Sequence, residues 1–217
     1  MKKEKEAVIS IDGNNLYHNL KAMQIKPSDL DFQKFTNYIA KHFNCSIKKV
    51  LYYNSKPDIR EGEAKYYRHM SYMSEIGKIP KFEVKLRKLQ TSPTKEIQKE
   101  AREAIDELEL CDTCSPIVKK FLEDSIGRVK MKEKGVDILL VVDMIDIAII
   151  NNEDIACILV SGDADFIPAL DILKRKGKEV FTASVVKGYA RNLRQKFPYL
   201  ILNRKDITEN CLKKGSE

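Results

Sequence analysis

At 217 residues, with 43% hydrophobic and 33% charged side chains, the chain has the make-up of a globular protein long enough to bury a full core. No apolar run approaches the ~18 residues that cross a bilayer, and residues 1–6 lack the apolar stretch of a signal peptide, so no membrane span and a cytoplasmic location are expected. A net charge of +7 and a pI near 9.0 favour a polyanionic partner, and five cysteines, an odd number, argue for free thiols over a disulfide framework.

Residues 7–12 form a short apolar run that ends in Asp12-Gly13-Asn14-Asn15, a pattern that predicts a buried strand followed by a turn or a helix start. Helical spacing over 30–43, with Asp31 as its cap, is followed by β-branched and aromatic residues at 47–53. A helix over 61–76, a strand over 82–89 and a charged helix over 94–110 come next. From 91 to 127 the chain carries five Lys or Arg against nine Asp or Glu, a net of −4, which leaves +11 on the remainder. An acidic, mostly helical insertion at about 91–130 is therefore expected inside a basic domain. Order resumes at Lys134-Gly135-Val136-Asp137, where Asp137 reads as the cap of an apolar helix running to 150. A strand at 156–160 ends in Ser161-Gly162-Asp163-Ala164-Asp165-Phe166, and a helix to 176, a strand at 179–183, a helix at 190–196 and a strand at 199–202 complete the alternation. Residues 205–217 read as a tail.

Such βα alternation implies a mainly parallel sheet covered on both faces, with ligands gathering beyond the carboxyl ends of its strands. Asp12 and Asp163 both fall at such ends. Asp143 lies inside an apolar helical stretch, where a carboxylate without a partner is costly. Carboxylates that converge at a sheet edge repel one another unless a divalent cation or hydrogen-bond donors offset their charge, and an all-oxygen set suits Mg2+ or Mn2+ better than Zn2+. Capping alone accounts locally for Asp137 and Asp165; for Asp12, Asp143 and Asp163 together, a metal site is the expected reading.

The motifs Ile11-Asp12-Gly13-Asn14-Asn15-Leu16-Tyr17, Lys134-Gly135-Val136-Asp137 with Asp143, and Ser161-Gly162-Asp163-Ala164-Asp165-Phe166-Ile167-Pro168 resemble, in their order, those of the NYN domain, specifically its LabA-like branch. NYN domains belong to the PIN-like nucleases. The resemblance covers about 1–89 and 131–204. It implies a Rossmann-like three-layer α/β/α sandwich and a Mg2+- or Mn2+-dependent endoribonuclease that leaves 5′-phosphate and 3′-hydroxyl ends. Asp12, Asp143 and Asp163 would be its acidic metal-binding core. Asn15 would orient a water or the substrate phosphate, Ser161 would support the site by hydrogen bonding, and Asp137 and Asp165 would be inner or outer carboxylates. The stretch from 90 to 129 is longer than the family's usual link.

For the substrate backbone, Arg60, Lys65 and Arg68 on one predicted helix and Arg191 and Arg194 on another are the candidates, each weighed against an ordinary solvated charge. Tyr66 and Tyr67 could stack on unpaired bases, but tyrosines on an amphipathic helix more often belong to the core. Cys111-Asp112-Thr113-Cys114 has the spacing of half a zinc knuckle without a second pair, and its place between charged helices fits a thioredoxin-like role worse still. His18, His42 and His69 lack metal-ligand spacing. An aspartyl-phosphate phosphatase would need an acid where Asn14 stands, and no phosphate-binding glycine loop is present. The rival from a different class is a non-catalytic RNA-binding or regulatory NYN protein. RNA is the expected partner, with DNA and a homodimer left open.

Overall fold

The first apolar run is strand β1 (Lys5–Asp12), whose last six residues are all buried, so both of its faces are covered. The computed structural model of the chain describes residues 5–59, 62–88, 90–91, 99, 102–103, 105–107, 110–126, 131–132, 135–150 and 154–213. Where the sequence predicts a turn or a helix start after β1, a full helix α1 (Gly13–Ala22) follows, capped by the Asp12 side chain. Helix α2 (Phe32–His42) is capped as expected: the Lys34 amide donates to Asp31 Oδ1 at 3.0 Å, a contact worth about 1 kcal/mol. Strand β2 (Cys45–Lys56), helix α3 (Glu63–Gly77) and strand β3 (Phe82–Lys88) complete the first half.

The chain then divides. Residues 88–134 form a unit of their own; residues 1–87 and 135–217 form the other. Within the smaller unit, β4 (Gln90–Thr91) pairs antiparallel with β5 (Met131–Lys132), helix α4 spans Cys114–Ile126, and Lys119 forms an ion pair with Asp106 at 2.6 Å.

The larger unit resumes with helix α5 (Val136–Ile145), extended by a π turn over Asp146–Ile150. Strand β6 (Ala156–Val160) is buried along its whole length and leads through a 3-10 turn (Ala164–Phe166) into α6 (Ile167–Arg175). Strand β7 (Val180–Val185), α7 (Arg191–Lys196), β8 (Tyr199–Leu202) and α8 (Arg204–Asn210) follow.

The six-stranded sheet has the order β3-β2-β1-β6-β7-β8, and β1 runs parallel to both β2 and β6. Pairings of β6 with β7 and of β7 with β8 are parallel too. The chain builds outward to one side from β1 and to the other from β6. The carboxyl ends of these two central strands therefore flank the topological switch point, where neighbouring crossovers lie on opposite faces and leave a crevice. One face is packed by Leu16 and Leu20 of α1, Phe35 and Ile39 of α2, Met73 of α3 and Ile207 of α8. The opposite face is packed by Leu140 and Met144 of α5, Leu170 and Leu173 of α6 and Leu193 of α7. This is the expected three-layer Rossmann-like sandwich.

Of the segment expected as a tail (205–217), the described residues 205–213 are folded. Asn203 and Asp206 form a reciprocal capping box at the start of α8, and Ile207 and Cys211 are fully buried. The Asp31 amide donates to the Cys211 carbonyl at 2.8 Å, so this segment also fixes the start of α2. Among the described residues no helix is long and apolar enough to cross a membrane.

Candidate active site

Asp12 is the last residue of β1 and only 6% exposed. Its Oδ1 accepts from the Asn15 amide at 3.0 Å, and its Oδ2 accepts from the Ser161 hydroxyl at 3.1 Å. The Ser161 oxygen in turn accepts from the Asp163 amide at 3.2 Å. Asn15 ties the same two strand ends together from the side: its Oδ1 accepts from the Gly162 amide at 3.2 Å and from Asn19 Nδ2 at 2.8 Å. Asp163 caps the 3-10 turn, its Oδ1 accepting from the Asp165 amide at 2.9 Å. Capping and site-building are thus performed by the same carboxylates, because strand ends that feed directly into helices present backbone N–H groups there.

A third acidic group enters from the other face. Helix α5 is capped by Gly135, which at φ +83 sits in the left-handed region that favours glycine, and Asp137 stands exposed in the first turn rather than at the cap. Burial raises the Asp12 carboxyl above its ordinary value, its two hydrogen bonds oppose the rise, and the charges of Asp137 and Asp163 add to it. Asp137, exposed as a residue but with its carboxyl partly desolvated by its neighbours, is raised as well, by that desolvation and then by Asp163 and Asp165. The charges of Asp137 and Asp163 thus bear on Asp12, and those of Asp163 and Asp165 on Asp137. Among the described residues no three His, Cys, Asp or Glu side chains already converge closely enough to hold one ion. The donor set nevertheless fits a hard divalent cation: oxygen throughout, negative, and relieved of mutual repulsion by a positive charge.

Asp143, expected in this core, is held by partners of its own. Six residues along an α-helix turn a side chain by roughly 240° and advance it by about 9 Å, so Asp137 and Asp143 cannot address the same point. Asp143 instead accepts from the Tyr53 hydroxyl at 3.0 Å, with Lys85 Nζ 4.0 Å away. Burial and this carboxylate push the Tyr53 hydroxyl well above its ordinary range and keep it a donor. Asp143 also lines a 430 Å³ pocket with Lys48, Lys49, Lys85 and Asp146. The expected outcome of Asp143→Ala is a stability loss of about 1–3 kcal/mol in urea denaturation, the cost of removing the acceptor from a buried hydroxyl left with Ser10 as its partner.

The loop after β7 closes the site on one side. Gly162 packs against it so tightly that a Cβ there would lie 1.2 Å from the Gly188 carbonyl oxygen. Tyr17, Tyr67 and Tyr189 are 38%, 60% and 42% exposed, and they lie on the segments that leave β1, β2 and β7. Of the expected backbone-binding residues, Lys65 and Arg68 are exposed in the first half of α3, and Arg191 and Arg194 are exposed on α7. Arg60 lies outside the described residues. Tyr66 is half-buried with Lys56 Nζ 5.3 Å from its ring centre, whereas Tyr67 stands free of the core. Sequence reasoning passed over Tyr17 and Tyr189; their position just beyond strand ends was the available signal.

The NYN domain profile matches residues 6–202. No curated protein and no solved structure matches the chain. A match that starts in β1 and ends with the last residue of β8 takes in both acidic strand ends and most of the chain. The chain belongs to the NYN domain family, within the PIN-like nuclease superfamily.

Proposed function

We propose that this chain is a Mg2+- or Mn2+-dependent endoribonuclease whose acidic site is Asp12, Asp137 and Asp163, with Asp165 beside them. The observation that carries this reading is the placement of a buried Asp12 at the switch point, its carboxyl raised by burial and by two further carboxylates on neighbouring elements. Left alone, that arrangement is electrostatically unfavourable, and a bound cation would make it favourable. A divalent cation there supplies charge neutralisation at the scissile phosphate and a water of lowered pKa. The chain's own residues hold and orient. Ser161 fixes the Asp12 carboxylate, and Asn15 holds the two strand ends at a set distance through the Gly162 amide. Lys65, Arg68, Arg191 and Arg194 would bind the phosphate backbone, and Tyr17, Tyr67 and Tyr189 would offer ring faces to unpaired bases.

A second reading, a non-catalytic RNA-binding or regulatory protein, draws its support from the spacing of the carboxylates, no three of which converge among the described residues. The two separate in one experiment. Labelled single-stranded RNA, duplex RNA and DNA are incubated with the protein in Mn2+, Mg2+ or EDTA, alongside Asp163→Asn. Metal-dependent cleavage of RNA that vanishes in EDTA and in the variant is the expected result. Retained RNA binding without cleavage in any metal would establish the second reading instead.

A further inference from the structure

Outside the acidic site, the smaller unit carries an exposed pair of cysteines. Cys111 and Cys114 are both exposed, whereas Cys45, Cys157 and Cys211 are buried. The pair does begin a helix, contrary to the expectation from sequence: the amides of Cys114 and Ser115 both donate to the Cys111 carbonyl at 3.0 Å, and α4 starts at Cys114. That first turn brings the side chains three residues apart onto one side, within reach of a disulfide. Cys114 and the amides of Thr113 and Cys114 are the groups that act on the Cys111 thiol.

We propose that Cys111 and Cys114 form a thiol–disulfide exchange site whose substrate class is a low-molecular-weight disulfide, with Cys111 the attacking and Cys114 the resolving thiol. The roles follow from position: Cys111 precedes the first turn, where amides without intrahelical partners favour a thiolate, and Cys114 lies within that turn. The Cys111 thiol is lowered from its ordinary value, by Cys114 and by the amides of Cys114 and Thr113, and the Cys114 thiol is raised. The buried thiols move the other way, Cys157 to about 11 and Cys211 to about 12, because burial disfavours their charged forms. In the first step the Cys111 thiolate attacks one sulfur of the small disulfide; a Cys111–S–S–R bond forms and one thiolate leaves. Cys114 then gives up its proton and attacks the Cys111 sulfur, forming the intrachain disulfide and releasing the second thiolate. Two protein thiols are oxidised and one disulfide is reduced to two thiols, so the electrons balance. The pair is too small a ligand set for a structural zinc site, and among the described residues no third ligand joins it.

The test uses the whole, fully reduced protein and excess oxidised glutathione, with quenching by alkylation and mass mapping of every cysteine. Wild type should end with a Cys111–Cys114 disulfide and Cys45, Cys157 and Cys211 still thiols. Cys114→Ser should stop at a mixed disulfide on Cys111, and Cys111→Ser should react about tenfold more slowly. A pH titration of the wild-type initial rate with dithiodipyridine should rise at lower pH than an ordinary thiol, which checks the assignment without a variant. Equal rates for the two single variants, oxidation that falls on the buried cysteines, or zinc retained on the pair in place of exchange would each overturn the proposal.

Discussion

Asp12→Asn should lower metal-dependent RNA cleavage by about a hundredfold or more and at the same time make the metal-free protein more stable, because the charge that serves the site is a liability to the fold. Asparagine keeps the shape and keeps Oδ1 as an acceptor for the Asn15 amide. Its Nδ2 can donate to Ser161, whose oxygen has a second lone pair beyond the one used by the Asp163 amide. What disappears is a buried negative charge facing Asp137 and Asp163. The sign in pH follows from the raised folded-state carboxyl. Its contribution to stability is fully present below the unfolded value near 3.8 and is lost as pH rises through the higher folded value. Wild type in EDTA should therefore lose stability across that window by a component absent from the variant. Mn2+ should restore melting temperature to wild type and leave Asp12→Asn unmoved, since only a ligand that binds the folded site stabilises it. Thermal denaturation at three pH values, with and without Mn2+, measures both effects. A variant that is less stable than wild type in EDTA would show that the carboxylate's hydrogen bonds outweigh its burial.

Gly162→Ala should be the most damaging single-methyl change in the larger unit, costing about 3 kcal/mol or more and disabling the site in the molecules that still fold. The added carbon would lie 1.2 Å from the Gly188 carbonyl oxygen and 2.3 Å from its carbon. Both obstacles are backbone, so no rotamer change relieves them. The turn after β6 and the loop after β7 would have to part, and the Gly162 amide would leave Asn15 while Asp163 shifted with it. Displacement of a reacting group by about 1 Å is worth roughly a hundredfold in rate. Gly77→Ala is the control: its new carbon would stand 3.7 Å from Val84, an ordinary contact at the end of α3. Urea denaturation of the two variants should show a large loss for the first and little change for the second.

The acidic strand ends and the layered fold could be read from sequence because they depend on local patterns. Asp12 and Asp163 close apolar runs that are too short for helices and too continuous for an exposed strand. The partners of Asp143 were not legible, because the deciding fact is helical phase against a sheet that sequence does not display. Val136, Leu140, Met144 and Ala148 form the buried row, spaced by four, and with that row inward Asp143 meets the Tyr53 hydroxyl. Tyr53 is 90 residues away in sequence, so the donor that accommodates the Asp143 charge was invisible. Helix α8 was missed for a similar reason. Its capping box is local, but what makes the segment hold is burial of Ile207 and Cys211 beside α2, a contact between the two ends of the chain.

The smaller unit enters the chain after β3, which among the described residues has a neighbour on one side only, and leaves it at Gly135. Among the described residues, the pairings of β1, β2, β6, β7 and β8 use no residue between those points, so descendants of this gene can lengthen, trim or replace that segment and keep those pairings. Its two junctions are not equivalent under selection. The entry follows an edge strand and tolerates drift, whereas the exit lies two residues before Asp137 and is held by a glycine at φ +83. Variation in this lineage should therefore accumulate toward the entry and thin out toward the exit, and grafting a foreign module here should succeed only when Gly135-Val136-Asp137 is kept intact.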